Sequence, residues 1–182
     1  SGDEEPLVRV GDDLVPLVQA ETGAVMRVAR TMQVPQTIDR FRRYARGALE
    51  QTSIPLPPTE MPSTALAPGG LLGTVVERRP GGVVAAITPY NFPLVNMAGK
   101  VGPALAMGNT VVVKPAPQDP LAVLRFADAV VEAGFPPGVF NLVQGDGATV
   151  GAALSSHPDV DMVSFTGSTR AGIEVARNAA PT

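Results

Sequence analysis

The sequence predicts an α/β fold, an open parallel sheet with helices on its faces, preceded by a helical section and a β-hairpin. Three observations predict it. From Val83 onward, short apolar runs alternate with helix-compatible stretches at regular spacing, the rhythm of parallel strands joined by crossover helices. The strand candidates, VVAAI (83–87) and TVVVK (110–114) among them, are apolar without alternation, as strands covered on both faces are. Polar and glycine-rich residues follow each of them, where an open α/β sheet binds its ligands.

In chain order, residues 7–50 read as helical. Leu14, Leu17 and Val18 recur at helical spacing, and Gly23 offers a stop. Pro35 opens a second run with Ile38, Phe41, Ala45 and Leu49 on one face. Its Arg40, Arg42, Arg43 and Arg46 read as a solvated side. Residues 53–70 change character: the five prolines and two glycines of IPLPPTEMPSTALAPGG predict an extended crossing segment. In GTVVERRPGGVVAAITPY, two β-rich runs flank Arg79-Pro80-Gly81-Gly82, a hairpin-like turn signal. Strands are then expected at 83–87, 110–114, 139–143 and 162–166, and helices over 94–107, 121–133, 148–154 and 171–179. The helix over 121–133 is assigned Leu121, Leu124, Ala127 and Val131 as its apolar face and Gly134 as its stop.

Composition limits the function classes. The chain has 182 residues, 45% hydrophobic and 17% charged, which suits a globular protein with one core, with or without an appendage. A net charge of −3 and 4% aromatics, without Trp, argue against nucleic acid as a partner. There are no cysteines, so neither a disulfide nor a thiolate site can form within these residues. No apolar run reaches bilayer-spanning length, and the acidic SGDEEPLVRV start lacks a signal-peptide core; no membrane and a cytoplasmic location are the expectations.

Four strand ends carry the candidate chemistry: Thr88-Pro89-Tyr90-Asn91, Lys114-Pro115-Ala116-Pro117, Gln144-Gly145-Asp146-Gly147 and Thr166-Gly167-Ser168. Any one of them serves as an ordinary turn. Together, at the carboxyl ends of parallel strands, they predict a nucleotide crevice. Gly145, Gly147 and Gly151 are spaced one residue too widely for G-x-G-x-x-G, and no acid stands about 20 residues on to hold a ribose. Phe165-Thr166-Gly167-Ser168-Thr169 offers a different phosphate site: Gly167 allows close backbone approach, and Ser168 can cap the last helix beside its free N–H groups. Lys114 ends an apolar strand and must reach solvent or a polar ligand. The Asn91 amide can donate to a developing oxyanion or serve a turn. His157 has no partner at metal-ligand spacing and reads as structural, so no metal is expected.

ITPYNFPL (87–94), GKVGPALAMGNTVVVKPAP (99–117), FPPGVFNLVQGDG (135–147) and VSFTGSTRAG (163–172) together resemble the aldehyde dehydrogenase superfamily. The match covers 80–175 with little gapping. AETG (20–23) and IDRFRRYA (38–45) look like the family's N-terminal helical section. The resemblance implies a Rossmann-like cofactor domain and roles for single residues. Asn91 matches the oxyanion-hole amide. Ile87, Thr88, Pro89 and Tyr90 match the wall beside the nicotinamide, and Lys114 the lysine on the adenosine ribose. Gly147 and Gly151 match small residues beneath the adenine; Phe165, Gly167 and Ser168 match the pyrophosphate turn. It further implies residues 1–60 as helical section, 61–82 as crossing segment and oligomerisation hairpin, and 83–182 as the NAD(P)-binding core. A homo-oligomer, dimer or tetramer, is implied as well.

Two departures bear on function. Pro117 stands where many NAD-preferring members have a glutamate on the ribose hydroxyls. A proline cannot accept those bonds, and losing a carboxylate relieves repulsion against a 2′-phosphate, so NAD and NADP both stay open as the cofactor. The family's nucleophilic cysteine, and the assisting glutamate of its Glu-Leu-Gly-Gly segment, find no counterpart here. The family's reaction turns an aldehyde to a carboxylic acid through a thiohemiacetal; this chain, as a fragment, is expected to bind cofactor without turnover. A non-catalytic truncated dinucleotide-binding paralogue and a CoA-acylating or phosphate-reductase relative are the alternatives. The intact Asn91-Phe92-Pro93 and Phe-Thr-Gly-Ser-Thr segments favour the non-acylating oxidation.

Overall fold

The computed structural model describes residues 5–50 and 52–181; the acidic Ser1–Glu4 start lies outside them. Helices α1 (Pro6–Arg9) and α2 (Gly11–Thr22) lead, and α2 ends where the sequence places its stop, on Gly23 in the left-handed conformation at φ 69°. Helix α3 (Met26–Val28) runs through a π-helical turn (Ala29–Gln33) into α4 (Val34–Gly47). Leu49, expected on the buried face, lies beyond the last turn of α4 and is exposed, and Ala45 is exposed too; the packed side carries Val34, Thr37, Ile38 and Phe41. The helical section therefore ends at Gly47, short of residue 60.

A two-stranded antiparallel ribbon follows, β1 (Ser53–Met61) paired with β2 (Gly70–Glu77). The register slips between Leu56 and Thr59, where Pro57 and Pro58 bring no N–H to the ladder. At the tip the Thr64 hydroxyl accepts from the N–H groups of Leu66 and Ala67. The hairpin is thus real but sits elsewhere than Arg79-Pro80-Gly81-Gly82 suggests. Residues 53–61 are one of its strands, and Gly81 and Gly82 instead lead the chain into the core sheet, both N–H groups donating to Asn109 Oδ1. The 83–87 run cannot fold back on β2, because parallel neighbours occupy both its edges.

The core sheet has four strands in the order β5-β4-β3-β6, all parallel: β3 (Val83–Ile87), β4 (Thr110–Lys114), β5 (Phe140–Leu142) and β6 (Met162–Phe165). Backbone bonds from Val111 to Val139 and from Val143 to Val113 carry the β4–β5 ladder across the whole 139–143 run. Helices α5 (Pro93–Ala106) and α6 (Pro120–Glu132) join the first three strands; a π-helical turn (Gly147–Gly151) with α7 (Ala152–Ser155) precedes β6, and α8 (Thr169–Ala179) follows it.

One helical layer and the sheet share the core: Leu14 and Val18 of α2, Val34 of α4, Leu94, Met97 and Val101 of α5, and Val123 and Phe126 of α6 pack with Val84, Val111 and Val113. Phe126 stacks on Phe41 at 5.1 Å between ring centres and meets Phe140 edge-on at 5.8 Å. Helix α6 buries Ala122, Val123, Phe126, Ala129 and Val130, whereas Leu121, Leu124 and Val131 are exposed. The face expected from the sequence is the wrong one of two apolar stripes; the stripe holding Phe126 wins because it completes the aromatic stack. Helix α5 lies close on α4: a methyl group at Gly102 would meet the Tyr44 ring at 2.6 Å.

Candidate functional site

The chain starts the sheet at β3, steps outward to β4 and β5, then returns to lay β6 on the other side of β3. This reversal splits the connections at the β3/β6 boundary, and in open α/β sheets ligands bind beyond the carboxyl ends at such a point. Register makes those ends level. Ile87 pairs with Lys114 on one side and Phe165 on the other; Thr88 N–H donates to Lys114 O and Thr166 N–H to Ile87 O. Thr88, Pro89, Tyr90 and Asn91 follow β3 directly at these ends. Tyr90 and Asn91 are exposed, and Thr88 is buried with its hydroxyl unpartnered.

Lys114, at the end of β4, is 2% exposed. Its ammonium donates to Pro115 O at 2.7 Å and Gly145 O at 2.8 Å, so the lysine ties the end of β4 to the loop after β5. Two of its three donors are used; one remains. Burial pulls its pKa down, and the Asp146 and Asp119 carboxylates pull it back up. Gly151 is buried against the lysine stem, where a methyl group would lie 3.7 Å from Cε. Gly147 is exposed with open space around it, and Pro117, three residues after Lys114, is exposed. Asp146 starts the π-helical turn by accepting from Thr149 N–H at 2.6 Å, and this bond holds its carboxyl below the usual range.

At the end of β6 the Phe165 ring covers Gly167, and a methyl group there would meet the ring at 2.5 Å. Ser168 caps α8, accepting from Ala171 N–H at 3.3 Å. The first N–H groups of α8, those of Thr169 and Arg170, have no intrahelical acceptor and face outward with the positive end of the helix dipole. Lys114 thus stands at one of three neighbouring strand ends, Asn91 and Ser168 follow the other two, and Gly151 packs on the Lys114 stem.

Three polar groups of this region escaped the sequence reading. Lys100, from α5, donates to Thr166 Oγ1 at 2.7 Å and Ser164 Oγ at 3.3 Å, fastening α5 to the end of β6; burial lowers its pKa. Its signal was available, since it is the lone charge in an apolar 14-residue helix. Asp119 is fully buried before α6, and burial beside Glu21 pushes its pKa up to about 7. Glu21, from the end of α2, accepts from the N–H groups of Leu121 and Ala122 and so caps α6 from another element. Neither acid stands out in the sequence. Arg40, read as solvated, donates to Val95 O at 2.8 Å and pins α4 to α5, while Arg42, Arg43 and Arg46 are exposed. The His157 ring accepts from Asp159 N–H within its loop.

The profile described as "Aldehyde dehydrogenase family" matches residues 5–182. The chain belongs to the aldehyde dehydrogenase family. It is 42% identical over 170 residues to "Aldehyde dehydrogenase, mitochondrial" of Leishmania tarentolae, a match covering 93% of this chain and 32% of that protein. It is 58% identical over 103 residues to "Aldehyde dehydrogenase 1A1" of Rattus norvegicus, over 57% of this chain and 21% of that one. Among solved structures, a mutant of aldehyde dehydrogenase C from Pseudomonas syringae, complexed with NAD+ and octanal, superposes with a TM-score of 0.84 at 42% identity. That match covers 97% of this chain and 34% of the other. A Bacillus cereus aldehyde dehydrogenase mutant superposes with a TM-score of 0.87 at 36% identity, covering 96% and 34%. The chain therefore spans about a third of the length of the Leishmania relative and of both solved structures. Among its described residues, no helix is long and apolar enough to cross a membrane, and no cluster of three or more His, Cys, Asp or Glu side chains is placed to hold a metal ion.

Proposed function

We propose that residues 1–182 are the dinucleotide-binding portion of an NAD(P)-dependent aldehyde dehydrogenase that oxidises an aldehyde to a carboxylic acid through a thiohemiacetal. One observation supports this reading: Ile87, Lys114 and Phe165 are level at three neighbouring strand ends beside the sheet's switch point, and the segments that carry Asn91 and Ser168 start from there. The groups present fit the cofactor. The third donor of Lys114 suits a ribose hydroxyl. The free N–H groups at the start of α8, with the Ser168 hydroxyl, suit the pyrophosphate. Gly151 leaves room over the lysine stem for a flat base, Gly147 stands open at the same rim, and Gly167 keeps the backbone bare under Phe165. Ile87, Thr88, Pro89 and Tyr90 form the wall toward the reacting end. The bound nicotinamide supplies the hydride acceptor.

The chain's own residues bind and orient. Asn91 has no hydrogen-bond partner among the described residues, and its amide is free to donate to the oxygen of an aldehyde under attack. The attacking thiolate comes from outside these residues, which hold no cysteine, so this chain binds cofactor without turning over aldehyde. The relatives complexed with NAD+ or NAD, aldehyde dehydrogenase C and PnpE, support the cofactor class. Pro117, exposed near Lys114, offers no carboxylate against a 2′-phosphate, which leaves NADP admissible beside NAD. The exposed apolar hairpin, with Ile54, Leu56, Leu71, Leu72, Val75 and Val76, supports a homo-oligomer built through this arm. A cytoplasmic location remains this reading's expectation; the mitochondrial name belongs to the Leishmania relative.

Calorimetric titration of the folded chain with NAD+ and NADP+ in parallel tests the proposal. Saturable heat from at least one is expected, and the ratio of the two affinities decides the cofactor. A folded sample that binds neither refutes the reading.

A further inference from the structure

Pro117 offers no carboxylate three residues after Lys114, but the loop after β5 brings one from elsewhere in the chain. Lys114 donates to Gly145 O at 2.8 Å, and Asp146 is the next residue. One peptide unit separates that carbonyl oxygen from the Asp146 Cα, so covalent geometry alone keeps this Cα within about 6 Å of the lysine nitrogen. The side chain is held too. Its Oδ1 accepts from Thr149 N–H at 2.6 Å and its Oδ2 from the Thr149 hydroxyl at 3.2 Å. Each oxygen keeps a lone pair to spare, and the residue is exposed.

Starting the π-helical turn accounts for an acceptor at this position but not for a charge, because asparagine and serine serve as caps equally well. What the aspartate adds is a full negative charge, and the bonds from Thr149 hold its carboxyl below the usual range and so ionised. That charge matters for what Lys114 can bind. An ammonium with a donor to spare favours a phosphate over a ribose hydroxyl, since the phosphate carries a charge of about −2 and the hydroxyl none. A fixed carboxylate one residue beyond the Gly145 carbonyl reverses that preference: it opposes the phosphate and leaves the neutral hydroxyl unaffected.

We infer that Asp146 is a specificity-determining residue: held by Thr149 beside the carbonyl that Lys114 grips, its carboxylate selects a dinucleotide with a free 2′-hydroxyl, NAD+, against one with a 2′-phosphate, NADP+. The inference deepens the proposed function and rests on its assignment of the ribose to Lys114. The discrimination that a glutamate at position 117 would give passes to the loop after β5.

Calorimetric titration of the whole chain with NAD+ and NADP+ at pH 7.5 tests it. Wild type should bind NAD+ more tightly. In Asp146→Asn, which keeps the cap acceptor, NADP+ affinity should rise about threefold or more while NAD+ affinity stays within about twofold of wild type. The gain should shrink as salt is raised from about 0.05 to 0.5 M, as an effect of charge requires. Asp146→Ser, which also caps, repeats the test if D146N does not fold. A folded variant with the wild-type ratio of NADP+ to NAD+ affinity overturns the inference, as does a wild type that prefers NADP+. Wild type and variant that bind neither dinucleotide refute the cofactor reading itself, and the inference falls with it.

Discussion

Replacing Lys114 with methionine separates what this lysine does for the fold from what it does for the ligand. Methionine keeps the apolar stem that packs against Gly151 and removes the ammonium. The folded chain loses the donor to Pro115 O and Gly145 O, contacts of 2.7 and 2.8 Å. Charge-assisted bonds of this kind contribute about 1.5–3 kcal/mol each, but the substitution also removes the burden of burying a charge. The two effects oppose, and the net destabilisation should be about 1–2 kcal/mol, small enough for the chain to fold. Binding is a cleaner measure. The third donor of the ammonium is the one left for a ribose hydroxyl, and its loss should weaken dinucleotide affinity by about 1–2 kcal/mol, roughly 5- to 30-fold in Kd. Calorimetry at pH 7.5 reads the affinity, and urea unfolding of the same preparation reads the stability. An affinity within twofold of wild type, in a variant shown to be folded, would remove Lys114 from the cofactor site and leave it a strand-to-loop tie.

Two further outcomes follow from the packing and the buried acid. Phe126→Ala should cost about 3–4 kcal/mol in denaturant unfolding, toward the lower end for such a truncation. Phe126 already borders an open apolar cavity of ≈ 270 Å³, so part of the new void joins solvent-accessible space; a loss under about 1.5 kcal/mol would show that the Phe41–Phe126–Phe140 stack does not organise the core. Asp119, raised from 3.8 to about 7, binds its proton more tightly in the folded state than in the unfolded one. Its stabilising effect is complete below about pH 4 and is lost as pH rises through 7, a change on the order of 2–4 kcal/mol. Asp119→Asn should flatten stability between pH 5 and 8, and an unchanged slope would place the titration elsewhere.

Much of the fold around the candidate site is legible in the order of residues. The VVAAI and TVVVK strands, the Gly23 stop and the Ser168 cap depend on neighbours a few residues away, and the structure has each of them. The proposed crevice comes from a topological rule applied to four strand ends, three of which, on β4, β3 and β6, the register makes level. Local patterns mislead where two of them are equally good. Helix α6 carries two apolar stripes, and only the Phe41 and Phe140 rings select between them. Arg79-Pro80-Gly81-Gly82 reads as a hairpin turn until β4 and β6 occupy both edges of β3.

The sequence by itself determined where the core strands and helices form, which ends carry polar groups, and that these residues supply no thiolate, because propensity, capping and composition act over a few residues. Tertiary structure alone decided which strands pair, which stripe of α6 is covered, that Lys114 and Asp119 are buried, and that Glu21 caps α6. Burial and charge coupling depend on atoms brought from about 100 residues away, as in the Glu21 cap on Leu121 and Ala122, and no local pattern encodes that approach.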